Sequence, residues 1–124
     1  MLATEIARKS ADSPEQLGGE LVFRIRSSNR DDRLVHIKAH KCTIGSGPRC
    51  TLRLHAPGVG SLHCLIVRGR AGAVVRRWSP DTLLNYRAFE ASLLAPGDVL
   101  NLGSVSVEIL SIGTELLLGE IVDT

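Results

Sequence analysis

Residues 42 to 64 read CTIGSGPRCTLRLHAPGVGSLHC, and this stretch decides the fold of the chain. Gly45, Gly47 and Pro48 predict a tight turn after a short strand, because glycine and proline interrupt regular backbone. The longer loop His55–Leu62 contains one proline and two glycines before the chain becomes apolar again. Polar loops of this kind, held on a rigid sheet, often carry function. The stretch therefore predicts strand, turn, strand, long loop and strand, with a recognition surface at the loops.

The rest of the chain repeats this alternation of short strands and breaks. Glycine and proline separate apolar or alternating segments at roughly 8–12-residue spacing, which is typical of an all-β sandwich or barrel. No segment before Glu115 has a sustained helical period. We therefore predict an all-β sandwich of short antiparallel strands. The predicted strands are 21–26, 34–39, 42–44, 51–54, 63–68, 73–78, 99–102 and 105–110, with short pieces around Leu84 and Phe89 and a polar turn over 27–33.

Composition predicts one soluble domain with an aliphatic core. The chain has 124 residues, of which 44% are hydrophobic but only 3% aromatic. No apolar run approaches the ~20 residues of a membrane helix, and the N-terminus lacks the apolar stretch of a secretory signal. Three cysteines, an odd number without a short pairing, indicate reduced thiols. These features predict a cytoplasmic protein that has no membrane partner.

Charge is distributed unevenly along the sequence. Arg33–Pro80 holds nine Lys or Arg residues, all four histidines and no acidic residue, whereas Asp81 to the end holds seven acidic residues and only Arg87 as a base. The segment with the glycine-rich loops is therefore electropositive and favours anionic partners. The alternative is that these bases are solvated strand faces spread around a sheet.

The order of four segments resembles the forkhead-associated (FHA) domain over about residues 21–110. The segments are TIGSGPRCTLRL (43–54), VGSLHCLIV (59–67), VVRRWSPDTLLNYRAF (74–89) and LLAPGDVLNLGSVSVEI (93–109). Gly97–Gly103 matches the Gly-Asp-x-Ile-x-Ile-Gly strand of the family best. The resemblance implies a β-sandwich that binds phosphothreonine peptides at its loop end, through charge-assisted hydrogen bonds to phosphate.

The phosphate-binding residues of the family are only partly present. Its arginine after Ile-Gly falls on Ser46, and its Ser-Arg pair falls on Gly60 and Ser61. Arg49 lies in the same turn as Ser46, so Arg49 and Ser61 could substitute for the lost arginine. We predict phosphopeptide binding by Ser46, Arg49, Ser61 and Asn85, the last of which matches a later asparagine of the family.

Four further residues are predicted to support the loops: Gly45, Gly60, His63 and Asp81. His63 matches the family histidine, which is usually structural. Asp81 falls near the asparagine of the family's Ser-x-Asn-Gly-Thr loop and places an anion where a phosphate would sit. Charge repulsion there opposes phosphate binding. The predicted function is a non-enzymatic, cytoplasmic signalling module that binds a protein or a phosphoprotein peptide, requires no cofactor and has a degenerate pocket.

The two ends of the chain are assigned outside the sandwich. Residues 1–19 are predicted to be a flexible leader, residues 20–111 the sandwich and residues 112–124 a tail. Residues 111–124, SIGTELLLGEIVDT, resemble the opening of the molybdopterin-binding-type domain of the CinA family. The alternative function is thus the N-terminal part of a fusion to a CinA-like enzyme, truncated here. A simple extension packing back on the sheet is the other interpretation of this tail.

Two other chemistries are weaker. A zinc site at Cys42, Cys50 and Cys64 lacks the short Cys-x2-Cys spacing, so no metal is predicted. A hydrolase using Ser61, His63 and Asp81 lacks a nucleophile elbow.

Nucleic acid is disfavoured as a partner, because the basic segment is not interleaved with aromatic platforms. The aromatic residues are few, and most are predicted to lie in the core. Trp78, which ends a predicted strand, is expected to anchor the core at the end of the sheet.

Overall fold

The computed structural model describes residues 19–28, 30–70 and 72–113. Within them the chain forms ten strands. The strands are β1 Leu21–Ser27, β2 Arg30–Ile37, β3 Lys41–Gly45, β4 Leu52–Arg53, β5 Cys64–Gly69, β6 Gly72–Arg77, β7 Thr82–Leu84, β8 Ala91–Leu94, β9 Val99–Leu102 and β10 Val105–Ser111.

The strands build two five-stranded sheets. The first has the order β2-β1-β10-β9-β7, and the second has the order β4-β3-β5-β6-β8. Neighbouring strands are antiparallel except β3 and β4, which are parallel. Of the edge strands, β2 carries several charged residues and β4 has only two residues. Both features limit pairing with the strands of other chains. The predicted all-β sandwich is confirmed.

The core fills the space between the sheets and is aliphatic apart from one phenylalanine and two cysteines. Alternate residues of β1, Leu21, Phe23 and Ile25, are buried, while their neighbours are partly or fully exposed. Val107 and Ile109 of β10 lie beside them in the same sheet, and the inward residues of β5 face them from the other sheet. A period of two residues places one face of each strand against the partner sheet. Burial of this apolar surface is the main stabilising contribution to the fold.

Two strand predictions are corrected. Strand β2 begins at Arg30 instead of residue 34, because Ser27 and Arg30 close a hairpin between β1 and β2. The polar sequence hid this strand, since an edge strand can keep polar side chains in water. The strand expected around Phe89 lies instead at Ala91–Leu94. Phe89 precedes it and packs, partly buried, against the core.

The prediction that Trp78 anchors the core is wrong. The inward positions of β6 are Ala73 and Val75, and the strand ends at Arg77. Trp78 therefore lies past the sheet and its side chain is 73% exposed. Its backbone N–H still donates a hydrogen bond to the His63 carbonyl over 2.8 Å.

Arg68 is a fully buried cation at the end of the sandwich where the described chain begins and ends. It continues the inward alternation of β5. One guanidinium nitrogen donates to the carbonyls of Gly19 and Ile112, and the other donates to those of Lys38 and Ala39. Burial lowers the pKa of Arg68, an effect that the charge of Glu20 opposes.

The terminal predictions fall largely on residues outside the described part. Of the predicted leader only Gly19 is described. At the other end, Ile112 is 5% exposed and packs in the core directly after β10. Residues 114–124, most of the CinA-like stretch, lie outside the described residues. No helix long and apolar enough to cross a membrane occurs in the part of the chain described here.

We expect Arg68→Met to lower the free energy of unfolding by about 2–4 kcal/mol, because it leaves several buried carbonyls without a donor. Urea unfolding followed by circular dichroism measures this change. Arg76→Met is the matched control, since Arg76 is exposed on the outer face of β6 and should change stability by no more than about 0.5 kcal/mol. Equal effects of the two substitutions would contradict the structural role of Arg68.

Candidate functional site

Three loops meet at one end of the sandwich, which we call the loop end. They are the turn 46–51 between β3 and β4, the long loop 54–63 between β4 and β5, and the loop 78–81 between β6 and β7. The Ser46 N–H donates to the Gly60 carbonyl over 2.8 Å, and the Gly47 N–H donates to the Ser61 carbonyl over 3.0 Å. These two bonds join the turn to the long loop, side by side.

The close approach of these two loops requires glycine in the turn. A Cβ at Gly45 would overlap the Ser61 carbonyl, and a Cβ at Gly47 would lie 2.9 Å from the same oxygen. The contact is with backbone, which cannot swing away as a flexible side chain can. The two glycines therefore set the distance between the loops.

The His63 backbone ties all three loops to the strands. Its N–H donates to the Ile44 carbonyl of β3 over 2.8 Å. Its carbonyl accepts from the N–H groups of Trp78 and Ser79 at 2.8 and 3.1 Å, and from the Thr82 hydroxyl at 3.0 Å. The backbone of one residue thus holds the end of β3, the long loop and the loop after β6 together.

The His63 imidazole extends this network and is held neutral. The Gly60 N–H donates to Nε2 over 2.9 Å, so Nε2 is the acceptor nitrogen. The proton then resides on Nδ1, which lies 2.9 Å from Oγ1 of Thr82 and donates to it. The hydroxyl of Thr82 in turn donates a hydrogen bond to the His63 carbonyl. The ring is 1% exposed, and burial lowers its pKa while the charge of Asp81 opposes that shift.

The long loop is also fastened to the first sheet. The N–H and hydroxyl of Ser104 donate to the Pro57 carbonyl, at 3.1 and 2.7 Å. Gly103, in the turn between β9 and β10, has φ +60°, and a Cβ there would overlap the Gly58 carbonyl. Both sheets therefore contribute to the position of the long loop.

The structure brings Ser46, Arg49 and Ser61 together at the loop end. Arg49 and Ser61 are exposed, and Ser46 is half-buried. The Arg53 Nε–H donates to the Ser46 carbonyl over 3.1 Å. The thiol of Cys50 donates to the Ser61 carbonyl over 3.2 Å. The residues that carry two hydroxyls and a guanidinium thus lie on two loops that are joined to each other.

Asp81 belongs to the third loop. It is exposed, and its N–H donates to the Ser79 hydroxyl over 3.3 Å. The charge of its carboxylate opposes the lowering of the His63 pKa by burial. An anionic ligand at the loop end meets this charge as well as the positive charge of Arg49.

Asn85 is not placed with the other predicted phosphate-binding residues. It follows β7, so three strand residues, or about 10 Å, separate it from the loop end. Its side-chain carbonyl accepts from the Val99 N–H at 2.9 Å, and its amide donates to Asp98 at 3.1 Å. Its φ is +53°. The structure shows that Asn85 forms hydrogen bonds to Asp98, just before β9, and to Val99, the first residue of β9. Its contact with a peptide stays a prediction.

Thr82 is the residue of this site that sequence reasoning missed. It is fully buried and has two hydrogen bonds to His63. The sequence shows only a threonine at the start of a short apolar segment, a pattern shared by many strands. Its partner lies 19 positions earlier in the chain. No local signal points to the pairing.

The other chemistries weighed from the sequence can now be compared with the geometry. Both ring nitrogens of His63 bond to Gly60 and Thr82, so the imidazole does not act as a base for Ser61. Burial, with a smaller contribution from the neighbouring thiols, raises the pKa of Cys42 and Cys64 to about 12. Among the described residues, no group of three or more His, Cys, Asp or Glu is arranged to hold a metal ion.

Comparison with known proteins finds similarity in structure. No family model matches the sequence, and no curated protein matches it. The FHA domain of an Arabidopsis thaliana hypothetical protein superposes with a TM-score of 0.67 at 21% identity, covering 78% of this chain and 89% of that one. The FHA domain of the Chlamydia trachomatis protein CT664 gives 0.65 at 14%, covering 74% and 97%.

A third similar structure carries a ligand. The yeast Dun1 FHA domain, solved in complex with a doubly phosphorylated peptide derived from Rad53, gives a TM-score of 0.61 at 18% identity, covering 77% of this chain and 76% of that one. These likenesses show that the chain has the forkhead-associated fold. The expected fold is therefore confirmed, and the resemblance of residues 111–124 to the CinA family stays a prediction.

We expect His63 to titrate below its ordinary pKa of about 6.5 and to carry its proton on Nδ1 when neutral. The unfolded chain binds this proton at a higher pH than the folded chain, so the stabilising effect of the neutral ring is complete above about pH 6.5 and declines as the pH falls through the lowered pKa. Nitrogen-detected NMR of the imidazole measures both the tautomer and the titration.

The matched variant for this prediction is His63→Gln. The difference in unfolding free energy between wild type and variant should shrink as the pH is lowered from about 6.5 to 5. A His63 that titrates at or above its ordinary pKa, or that carries its proton on Nε2, would contradict the network.

Proposed function

We propose that the chain is a non-enzymatic protein-interaction module that binds a phosphothreonine peptide at its loop end. The observation that carries the proposal is the pair of backbone bonds from Ser46 and Gly47 to Gly60 and Ser61. These bonds join the two loops that carry Ser46, Arg49 and Ser61, which supports a binding edge formed from both loops. The forkhead-associated fold supports the proposal, because the yeast Dun1 domain of this fold was solved with a phosphorylated peptide.

The chemistry of recognition is assigned to three side chains. The exposed Arg49 guanidinium can form two parallel charge-assisted bonds with a phosphate, which are stronger than neutral hydrogen bonds. The hydroxyls of Ser46 and Ser61 each donate one further bond. Because the turn and the long loop are already joined, little ordering is required when the peptide binds.

The pocket departs from the family pattern in two ways that lower its affinity. The position of the family arginine is Ser46, so the charge is supplied from Arg49, three residues further along the same turn. The exposed carboxylate of Asp81 lies in the third loop and repels a dianionic phosphate. We therefore propose weak to moderate affinity, with the balance set by Arg49 against Asp81.

Trp78 gives the loop end an apolar element. It is 73% exposed at the first position of the third loop, where the chain leaves β6. Exposed tryptophan is enriched among residues that contribute most to binding in protein interfaces. We propose that Trp78 contacts an apolar side chain of the peptide next to the phosphothreonine.

An interaction role in the cytoplasm agrees with the remaining chemistry. All three cysteines are free thiols, which suits a reducing compartment. The imidazole of His63 is committed to loop structure by both nitrogens. We accordingly assign the loop end to recognition and signalling.

We expect a phosphothreonine peptide selected from an oriented library to bind with a dissociation constant about tenfold weaker in Arg49→Ala and several-fold weaker in Ser61→Ala, because charge-assisted bonds are lost. Asp81→Asn should bind several-fold more tightly, because it removes like-charge repulsion. Fluorescence anisotropy with phosphorylated and unphosphorylated forms of the same peptide measures each change.

Arg76→Ala is the control, since it removes one exposed positive charge from the outer face of β6. It should leave the dissociation constant unchanged at moderate ionic strength. The proposal fails if phosphorylation of the peptide adds no affinity, or if Arg76→Ala weakens binding as much as Arg49→Ala does.

A further inference from the structure

A cleft of about 100 Å³ lies beside the loop end, between the two sheets. β2 and β4 are edge strands of the two sheets, and both border this cleft. Its floor is apolar and includes Ile25 and Val105 of the first sheet and Leu54, which directly follows β4. Three basic side chains, Arg33, Arg53 and His55, line the same cleft.

Arg33 is directed toward the cleft by the register of β2. It pairs with Ile25, whereas Val35 pairs with Phe23. Ile25 and Phe23 face the core, so Arg33 lies on the inner side of the edge strand, in line with Val35. Val35 packs against the core, but Arg33 stands at the point where the cleft opens and is exposed. An arginine over an apolar floor keeps its stem in contact and its charge in water.

Arg53 connects the cleft to the loop end. It pairs with Gly45 at the end of β3, and its Nε–H donates to the Ser46 carbonyl over 3.1 Å. A guanidinium has four further N–H donors, and this side chain lines the cleft. His55, two residues further along the chain, adds two ring nitrogens to the same wall.

Two acidic residues of the first sheet, near the cleft in the chain, form ion pairs outside the cleft. Asp32 pairs with Arg26 at 2.9 Å, and Glu108 pairs with Arg24 at 3.1 Å. Arg24 and Arg26 alternate with the inward residues of β1, so both pairs lie on the outer face of the sheet. No acidic side chain is among the described residues that line the cleft. The cleft therefore presents positive charge above an apolar floor.

We propose that this cleft is a second anion subsite, which takes a phosphate or a carboxylate from the same peptide whose phosphothreonine occupies the loop end. The inference rests on the proposed function. The Ser46 carbonyl at the loop end accepts from Arg53 of the cleft, so the two sites adjoin and are close enough for one extended peptide to span them. At about 3.3 Å per residue, a spacer of a few residues separates its two anions. The peptide class is thus a phosphothreonine segment with a second negative charge.

Four kinds of peptide of one sequence test this assignment by fluorescence anisotropy. Three kinds carry phosphothreonine and differ at the second position, which is alanine, glutamate or phosphoserine, and each is made with spacers of two to six residues. The fourth kind lacks both phosphates. At the best spacing we expect the second anion to tighten binding of the wild-type chain about tenfold. The ratio of the dissociation constants of the glutamate and phosphoserine peptides shows whether the cleft prefers a carboxylate or a phosphate.

Two variants decide where the gain originates. Arg33→Gln and His55→Gln should lose most of the tenfold gain, yet bind the singly phosphorylated alanine peptide as the wild type does. Lys41→Gln removes the same charge at the start of β3, outside the cleft, and should keep the gain. An equal loss in Lys41→Gln, or an unchanged gain in Arg33→Gln, would overturn the proposal.

A peptide-independent measurement separates this inference from the proposed function. Titration with inorganic phosphate should shift the NMR signals of the Arg33 and Arg53 side chains and of the His55 ring, and Arg33→Gln should reduce the shifts at His55. If singly phosphorylated peptides do not bind but these shifts occur, the proposed function fails and the subsite stands. If such peptides bind and the cleft signals stay unchanged with phosphate and with every second anion, the subsite fails.

Discussion

His63 is the residue on which the geometry of the loop end depends. Its carbonyl accepts three hydrogen bonds from the segment around β6 and β7, and its ring bonds to the long loop on one side and to Thr82 on the other. A buried polar group without a hydrogen-bond partner destabilises the fold, and here the polar groups of His63 all have partners. Interactions of this kind strengthen in a low-dielectric interior. The neutral ring therefore specifies one arrangement of three loops, on which Arg49 and the hydroxyls are presented without a large ordering cost.

Much of the fold could be predicted from the alternation of apolar and polar residues and from the glycine and proline residues that end strands, because each of these signals is local in the sequence. The apolar alternation of β1, β6 and β10 and the glycine and proline turns identify the strands directly. The start of β2 could not be identified in this way, since an edge strand with polar residues resembles a turn. Arg68 was hidden for a different reason. Its inward direction follows from the register of β5, but the carbonyls that satisfy it come from segments 30 and 44 positions away.

For the site, the sequence located the two glycine-rich loops but not every residue's place on them. The turn glycines and His63 were recognisable because backbone approach and ring chemistry restrict which residues fit. Trp78 was placed less well, and the role of Asn85 stays a prediction. Trp78 was assigned by its hydrophobic character, although the strand ends one residue earlier and leaves the indole in water. Asn85 was assigned by a motif, and β7 places it away from the loops, where it bonds to Val99 and Asp98.

The central claim is that the joined loops around His63 form a phosphate-binding edge, and amide NMR mapping tests it most directly. Addition of a phosphothreonine peptide to the labelled protein should shift the amide signals of Ser46, Gly47, Arg49 and Ser61 in a saturable way. The same peptide without phosphate should leave them in place. Shifts confined to the outer face of β6 and β8, or shifts at the loop end that are identical with and without phosphate, would contradict the account.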